Sequence, residues 1–396
     1  MTRIVFISNY LSHHQKPFCD RMAALLGDSF TFVATIPFEQ ERLSMGWKQE
    51  EARYVLPAYQ GDAERNKAER LINEADVAIL GSAPDSYIVP RLKAGKVTFK
   101  YAERFYKQGI GIKNFVRAAG GAWLHHGRFQ KYPIYLLCAS AYTAADAAIF
   151  GNYVGRAYQW GYFPFVKSHN PDELMLRKRS AQQTESGTSC VSILWVGRLI
   201  GLKHPEAAIH LATKLKAKGY RFRLSIIGSG EMEEDLRKMI RERNLGNDVS
   251  MLGSMPPENV RIHMEEADIF LFTSDFNEGW GAVLNESMNS GCAVVASHAI
   301  GAVPFLIRDG ENGLIYKSGD QTQLEQSVQR LMDDEQLRRK LGKRAYLTMI
   351  EEWNADIAAE RVLQLSQALM ERKDASTLFS QGPCSIAPIL KNNWYT

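Results

Sequence analysis

Short apolar runs recur along the chain and alternate with longer stretches of helical period. In the first 165 residues the runs Ile4–Ser8, Phe30–Thr35, Val77–Leu80, Val97–Tyr101, Tyr135–Ala139 and Ala157–Trp160 read as strands. They are rich in Val, Ile, Phe and Tyr, and several are apolar on both faces, as strands buried on both sides must be. Lys16–Leu26 and Ala63–Ala75 place apolar residues at helical spacing between them. Strands alternating with helices predict a mainly parallel, doubly wound sheet.

The alternation then pauses. Lys167–Cys190 is polar and lacks a clear period; with Arg177-Lys178-Arg179 and the run from Gln182 to Thr188 it reads as an interdomain linker. A second set of strands follows at Ser192–Val196, Arg223–Ile227, Val249–Leu252, Ile269–Thr273, Ala293–Ala296 and Gly313–Tyr316. Leu337–Met349 and Ala355–Met370 look like helices closing that set. The tail beyond Lys373 turns at Gly382-Pro383 and ends with Ile389-Leu390 and Trp394-Tyr395, which suit either docking on the N-terminal domain or a frayed end. The expected division is therefore 1–166, a linker at 167–190, a second domain at 191–372 and a tail at 373–396. A chain of 396 residues is long enough for two cores.

Composition narrows the class. With 45% apolar and 23% charged residues the balance is that of ordinary globular domains. The most apolar run, Pro133 to Ala145, carries Tyr, Cys, Ser and Thr and falls short of the ~20 residues of a membrane span. Arg3–Ser8 enters a strand pattern at once, without a signal-peptide layout. The cysteines Cys19, Cys138, Cys190, Cys292 and Cys384 are odd in number and scattered, which fits a reducing compartment and neither a disulfide framework nor a zinc site. A cytoplasmic location, peripheral at the inner face of the membrane, is expected.

Net charge is +4, but Met1–Phe165 holds 20 Lys/Arg against 14 Asp/Glu, so the excess lies in the first half. No Asp or Glu occurs from Arg104 to Ala145. That stretch holds Arg104, Lys107, Lys113, Arg117, His125, His126, Arg128 and Lys131, interleaved with Phe105, Tyr106, Phe115, Trp123, Phe129 and Tyr132. Two readings stand: an anionic membrane surface or lipid-diphosphate acceptor meeting Arg104–Lys131, or a solvated basic face with the aromatics in the core. No recognised nucleic-acid motif accompanies it, so nucleic acid is not an expected partner.

The chemistry concentrates between Asp268 and Tyr316. The strand Ile269–Thr273 runs into the loop Ser274–Trp280, and a helix pattern follows from Gly281 to Asn289, with Gly291 at its expected end. In a parallel sheet such a loop lies at the carboxyl edge, where ligands bind. The amides of Gly281, Ala282 and Val283 at a helix start suit an anion, and Gly279 and Gly281 permit close approach. Glu286 lies five residues beyond Gly281, ~7–8 Å along a helix axis. Glu278 and Glu286 thus flank an anion site, an arrangement suited to a ligand carrying both phosphates and hydroxyls. The alternative is two solvated surface charges.

Upstream, Ser192–Val196 leads into Gly197-Arg198 and, five positions after Arg198, Lys203. These cations either neutralise a diphosphate or form a structural salt-bridging loop. Gly228-Ser229-Gly230 follows another strand. Its glycines either contact a nucleotide or only shape a turn, and Glu233 occupies the third glycine position of a dinucleotide fingerprint.

Glu278–Glu286 resembles the E-x7-E motif of the family 4 retaining glycosyltransferases. Gly197-Arg198 with Lys203, Ile227–Gly230 and Asn312-Gly313-Leu314 resemble the same family in the same order, over most of Val191–Arg372. The resemblance implies a GT-B fold, two Rossmann-like doubly wound domains facing a central cleft, anomeric retention and no metal or other cofactor. It implies Arg198 and Lys203 on the donor diphosphate, Glu286 on the ribose, Glu278 on the transferred sugar, and Gly281, Ala282 and Val283 amides on phosphate or sugar. The donor is a nucleoside diphosphate sugar, with UDP-sugars favoured, and the acceptor a glycan or lipid-linked hydroxyl. The first half resembles bacterial polysaccharide-assembly members more loosely. Its loop Asn9–Gln15 lacks the Gly-Gly pair of many relatives, and Glu103-Arg104 follows the strand where many have a histidine. His13 and His14 either serve an acceptor or cap and pack a helix. Glu103 and Arg104 either pair with each other or line the cleft. A catalytically silent sugar-nucleotide or glycan-binding protein and a sugar-nucleotide epimerase are the rival functions.

Overall fold

The computed structural model describes residues 2–39, 52–182 and 190–395. Strands β1 (Ile4–Ser8), β2 (Phe30–Ala34), β3 (Val55–Pro57), β4 (Val77–Leu80), β5 (Thr98–Ala102), β6 (Ile134–Cys138) and β7 (Ala157–Gln159) form one parallel sheet, in the order β3-β2-β1-β4-β5-β6-β7. Strands β8 (Val191–Val196), β9 (Phe222–Ile227), β10 (Val249–Gly253), β11 (Ile269–Phe272), β12 (Ala293–Ser297) and β13 (Leu314–Tyr316) form a second parallel sheet, ordered β10-β9-β8-β11-β12-β13. Both orders are Rossmann-like, and helices run between the strands. β1, β4, β11 and β12 are buried at every position, which is why their sequences are apolar on both faces.

The chain divides into two units, Met1–Phe165 with Trp353–Lys391, and Val166–Glu352 with Asn392–Thr396. Strand positions agree with the sequence reading to within a residue or two, except that β3 escaped it. Only three residues long and ending in Pro57, β3 is half-buried at each position and carries no alternation to detect.

The linker reading needs correcting. Pro171–Gln182 is a helix of the second unit, with Leu174 and Met175 buried against Tyr346. Its start was legible: the Asn170 side chain accepts from the amides of Asp172 and Glu173 at 3.0 and 3.2 Å, with Pro171 as first helical residue. The dense charge of Arg177-Lys178-Arg179 masked the period. The rest of that run, residues 183–189, lies outside the described residues.

The helix Ala355–Met370, which the sequence pattern groups with the second domain, belongs to the first unit. Arg21 on the helix Lys16–Leu26 reaches Asp356 at 3.2 Å and Glu360 at 2.7 Å. An amphipathic stripe states that a face is buried, not against what. The tail also divides. In the first unit the Gln159 and Cys384 backbones exchange hydrogen bonds with Ser385 and Gln159 along the outer edge of β7. In the second, the Tyr395 hydroxyl donates to the Ile315 carbonyl at 2.7 Å and the Trp394 indole to the His298 carbonyl at 3.3 Å. Among the described residues no helix is long and apolar enough to cross a membrane.

In each sheet the chain reverses its winding at one point: between β1 and β4 in the first unit, and between β8 and β11 in the second. There the following helices turn to opposite faces and leave a crevice at the carboxyl edge.

The second crevice is braced by the helix Glu335–Glu351, which packs on the turn after Val283–Asn289. A Cβ on Gly342 would fall 2.3 Å from the Gly291 carbonyl oxygen, so the two backbones touch. Gly342→Ala gains helix propensity yet must push these elements apart. The expected outcome is a net loss of about 1–3 kcal/mol in denaturant unfolding, whereas a neutral or stabilised variant would show that the contact is slack.

Candidate functional site

β8 and β11 deliver their loops to the switch point of the second sheet, and one hydroxyl joins the two. Thr273, directly after β11, lies with its hydroxyl 2.6 Å from the Lys203 carbonyl and 3.0 Å from that of His204. The buried Trp195 indole of β8 donates to the same hydroxyl at 2.8 Å. The Asp275 amide adds a bond to the Leu202 carbonyl at 3.0 Å. Gly201–Lys203 forms a short 3-10 turn, and His204 follows in left-handed conformation at φ 48°.

That register brings Lys203 and Glu278, 75 residues apart in sequence, into a direct ion pair. Their side chains are 15% and 13% exposed, so solvent screens the pair only partly. The Ser274 hydroxyl donates to the same Glu278 oxygen at 3.1 Å, and the Lys203 ammonium lies 5.8 Å from the Phe272 ring centre. Arg198, on the same β8 loop, is exposed.

Glycines set how closely the loops approach. At Gly228, φ 140°, a Cβ would fall 1.8 Å from the Gly197 carbonyl oxygen, so the β9 loop lies against the β8 loop backbone to backbone. Gly230 meets Leu199 in the same way. Gly281 sits at φ 87°, and a Cβ there would fall 2.4 Å from the Phe272 ring. This turn ends the loop, so the helix runs Val283–Asn289 and not from Gly281 as the sequence pattern suggested. Ala282 is the residue at its N-cap position, where the first amides lack intrahelical acceptors.

Glu286 therefore stands only three residues into the helix, about 4.5 Å along its axis. Burial pushes its carboxyl from 4.5 up to about 7, while the Arg261 guanidinium pulls it down. Arg261, on the helix Pro257–Glu266, is itself buried and donates to Asn289, whose side-chain oxygen also accepts from the Lys167 amide at 2.8 Å. Two participants escaped the sequence reading. Arg261 sits in an ordinary amphipathic pattern that gives no signal. His204 is held by Glu206 at 2.9 Å and Asp275 at 3.4 Å, and its pKa is raised first by the Glu206 hydrogen bond. A histidine followed at once by Pro205, a helix-starting residue, was the available clue.

In the first unit, His13 and His14 follow β1 with their rings tilted by 47° and 3.7 Å between centres. The His14 ring is 6.0 Å from that of Tyr162, whose hydroxyl donates to Glu103 at 2.9 Å. Lys107 completes the group at 3.1 Å from Glu103. Tyr162, unremarked in the sequence, is what ties the histidine pair to Glu103. Arg104 is held elsewhere, against Asp146. It is buried, bonded to Asp146 at 3.3 Å and lying 4.8 Å over the Tyr142 ring. Burial raises the Asp146 carboxyl, against the Tyr106 amide and Arg104, which lower it. His126 is likewise no part of a basic face: burial drops it to about 3, and it contacts the Tyr153 hydroxyl at 3.2 Å.

Residues 177–348 match the family described as Glycosyl transferases group 1. The amylovoran biosynthesis glycosyltransferase AmsK of Erwinia amylovora is 32% identical over 170 residues, 42% of this chain and 40% of that protein. The N-acetylgalactosamine-N,N'-diacetylbacillosaminyl-diphospho-undecaprenol 4-alpha-N-acetylgalactosaminyltransferase of Campylobacter jejuni is 31% identical over 153 residues, 39% of this chain and 40% of that protein. These matches span well under half the length of either relative. Among solved structures, Anabaena Alr3699/HepE in complex with UDP superimposes with a TM-score of 0.67 over 93% of this chain and 100% of that one. At 14% identity, this likeness concerns the fold. Residues 177–348 are thus a Glycosyl transferases group 1 domain, in a chain with the two-sheet GT-B fold.

Proposed function

We propose that this protein is a retaining, metal-independent glycosyltransferase of the family 4 group. It moves a sugar from a nucleoside diphosphate sugar, with UDP-sugars favoured, to a hydroxyl of a glycan or lipid-linked acceptor in bacterial surface-polysaccharide assembly, at the inner face of the membrane. The observation that carries the reading is the contact between Lys203 and Glu278. In this reading the ammonium and the carboxylate lie where the phosphate end and the hydroxyl end of one ligand meet. In a sugar nucleotide that place is the bond between the anomeric carbon and the diphosphate.

The chemistry follows from charge. When the anomeric C–O bond breaks, its electron pair goes to the diphosphate. Lys203, Arg198 and the amides of Ala282 and Val283 stabilise that growing charge, which removes the need for a metal. Glu278 accepts hydrogen bonds from the transferred sugar, and Glu286 from the ribose. Gly197, Gly228 and Gly230 keep side chains away from the nucleotide. The acceptor oxygen bonds to the anomeric carbon on the face the phosphate leaves, and its proton passes to the departing phosphate oxygen. No protein nucleophile takes part. His13, His14 and Glu103 serve the acceptor.

Relatives lend support. The Anabaena protein has also been solved with UDP-glucose, and the Campylobacter relative's name specifies a diphospho-undecaprenol acceptor.

A thermal-shift screen of UDP-, GDP- and ADP-sugars tests the donor. One class should raise the melting temperature by several degrees, and Glu286→Ala should abolish the rise relative to its own ligand-free melting point. If no sugar nucleotide stabilises the protein, the reading is wrong.

The raised pKa of Glu286 gives a second test. Ribose hydroxyls favour its ionised form, so affinity for the sugar nucleotide should climb about tenfold between pH 6 and 8 and then level off. The donor diphosphate does not titrate in that range, so Glu286→Gln should flatten the curve. Titration calorimetry decides it, and an equal slope in the variant would assign the dependence elsewhere.

A further inference from the structure

The helix Phe115–His125 of the first unit is built inside out. Towards the protein it offers small residues: Ala122 is buried, and Ala118, Ala119 and Gly121 are half-buried. Towards solvent it offers the large ones. Val116 is 83% exposed, Trp123 64% and Leu124 43%, and Ile112 in the preceding turn is 99% exposed. Positions 112, 116, 120, 123 and 124 fall on one stripe at helical spacing, with Gly120 between the side chains. Neighbouring chain widens the patch, since the exposed Phe115 ring lies 5.6 Å from that of Phe150, beside the exposed Ile149. A helix that merely completes a fold turns its large apolar residues inward, so an exposed apolar row of this size marks a contact surface.

The charge around it specifies the partner. Lys113, Arg117 and Arg128 are exposed beside the row, within a stretch that has no carboxylate from Arg104 to Ala145. The nearest acids do not offset them. Asp85 faces the helix end, but it is bonded to Lys100 at 2.6 Å and His125 at 3.0 Å, and Asp146 is buried against Arg104. A second copy docking by a two-fold axis would set these cations against their own images. A bilayer with anionic headgroups matches both features: phosphates for the cations and the acyl boundary for the apolar row, with tryptophan at the depth it prefers.

We propose that this helix and the turn before it lie in the headgroup layer of an anionic lipid bilayer, with Ile112, Val116, Trp123 and Leu124 entering the acyl boundary and Lys113 and Arg117 meeting headgroup phosphates. The surface belongs to the first unit alone and does not depend on the donor chemistry proposed for the second.

Flotation of the full chain with vesicles tests the proposal. The protein should float with phosphatidylglycerol–phosphatidylcholine vesicles and remain behind with phosphatidylcholine alone. Val116→Asp combined with Trp123→Asp should lower the bound fraction about tenfold, and Lys113→Glu combined with Arg117→Glu should erase the preference for the anionic lipid. All four side chains are exposed, so melting curves should not move, and the sugar-nucleotide thermal shift should persist in each variant. Failure of the parent to float, or equal flotation by the Asp variant, would overturn the proposal. So would a concentration-dependent dimer that the Asp variant abolishes without any vesicle binding, which would give the face to a second copy.

Discussion

The hydroxyl of Thr273 is the small part on which the candidate site depends. It takes a hydrogen bond from the buried indole of Trp195 and faces the carbonyls of Lys203 and His204. One side chain thereby locks the loop after β11 to the loop after β8 across the switch point. In a buried setting each of these groups would be costly to leave unpaired, so the register of the two loops is strongly determined. Lys203 and Glu278 meet because of that register.

The same economy of distance governs the surrounding backbone. Gly228 and Gly230 let the β9 loop rest on the β8 loop, and Gly281 lets the β11 loop turn over Phe272 into a short helix. At these positions the loops approach with no side chain between them. Glu286 stands in the first turn of that helix. Arg261 tempers the cost of burying its carboxyl without cancelling it, which leaves a group that ionises near neutrality.

Much of this was legible in the sequence, for identifiable reasons. Strands buried on both faces are apolar throughout, so the runs at β1, β4, β11 and β12 announced themselves. Gly228 and Gly230 follow β9 directly, and Glu278, Gly281 and Glu286 lie in the loop and helix that follow β11, at the edge where a parallel sheet puts its ligands. What could not be read was partnership. Nothing in the stripe of Ala355–Met370 says that it packs on Lys16–Leu26, and nothing in Arg104 foretells Asp146, 42 residues away. The helix Pro171–Gln182 was lost because charge overrode a correct N-terminal signal. The basic stretch divided between two expectations: Phe129 is buried in the core, while Phe115 and Trp123 are exposed.

The central claim is that Lys203 and Glu278 act on adjoining atoms of one donor. Calorimetric titration with UDP and with the matching UDP-sugar, in the parent, Lys203→Ala, Glu278→Ala and the double variant, tests it most directly. Lys203→Ala should weaken both ligands. Glu278→Ala should weaken only the UDP-sugar, removing its advantage over UDP, and the two losses should be strongly non-additive for the UDP-sugar. If Glu278→Ala left that advantage intact, or the losses simply added, the two residues would not share a ligand and the account would fail.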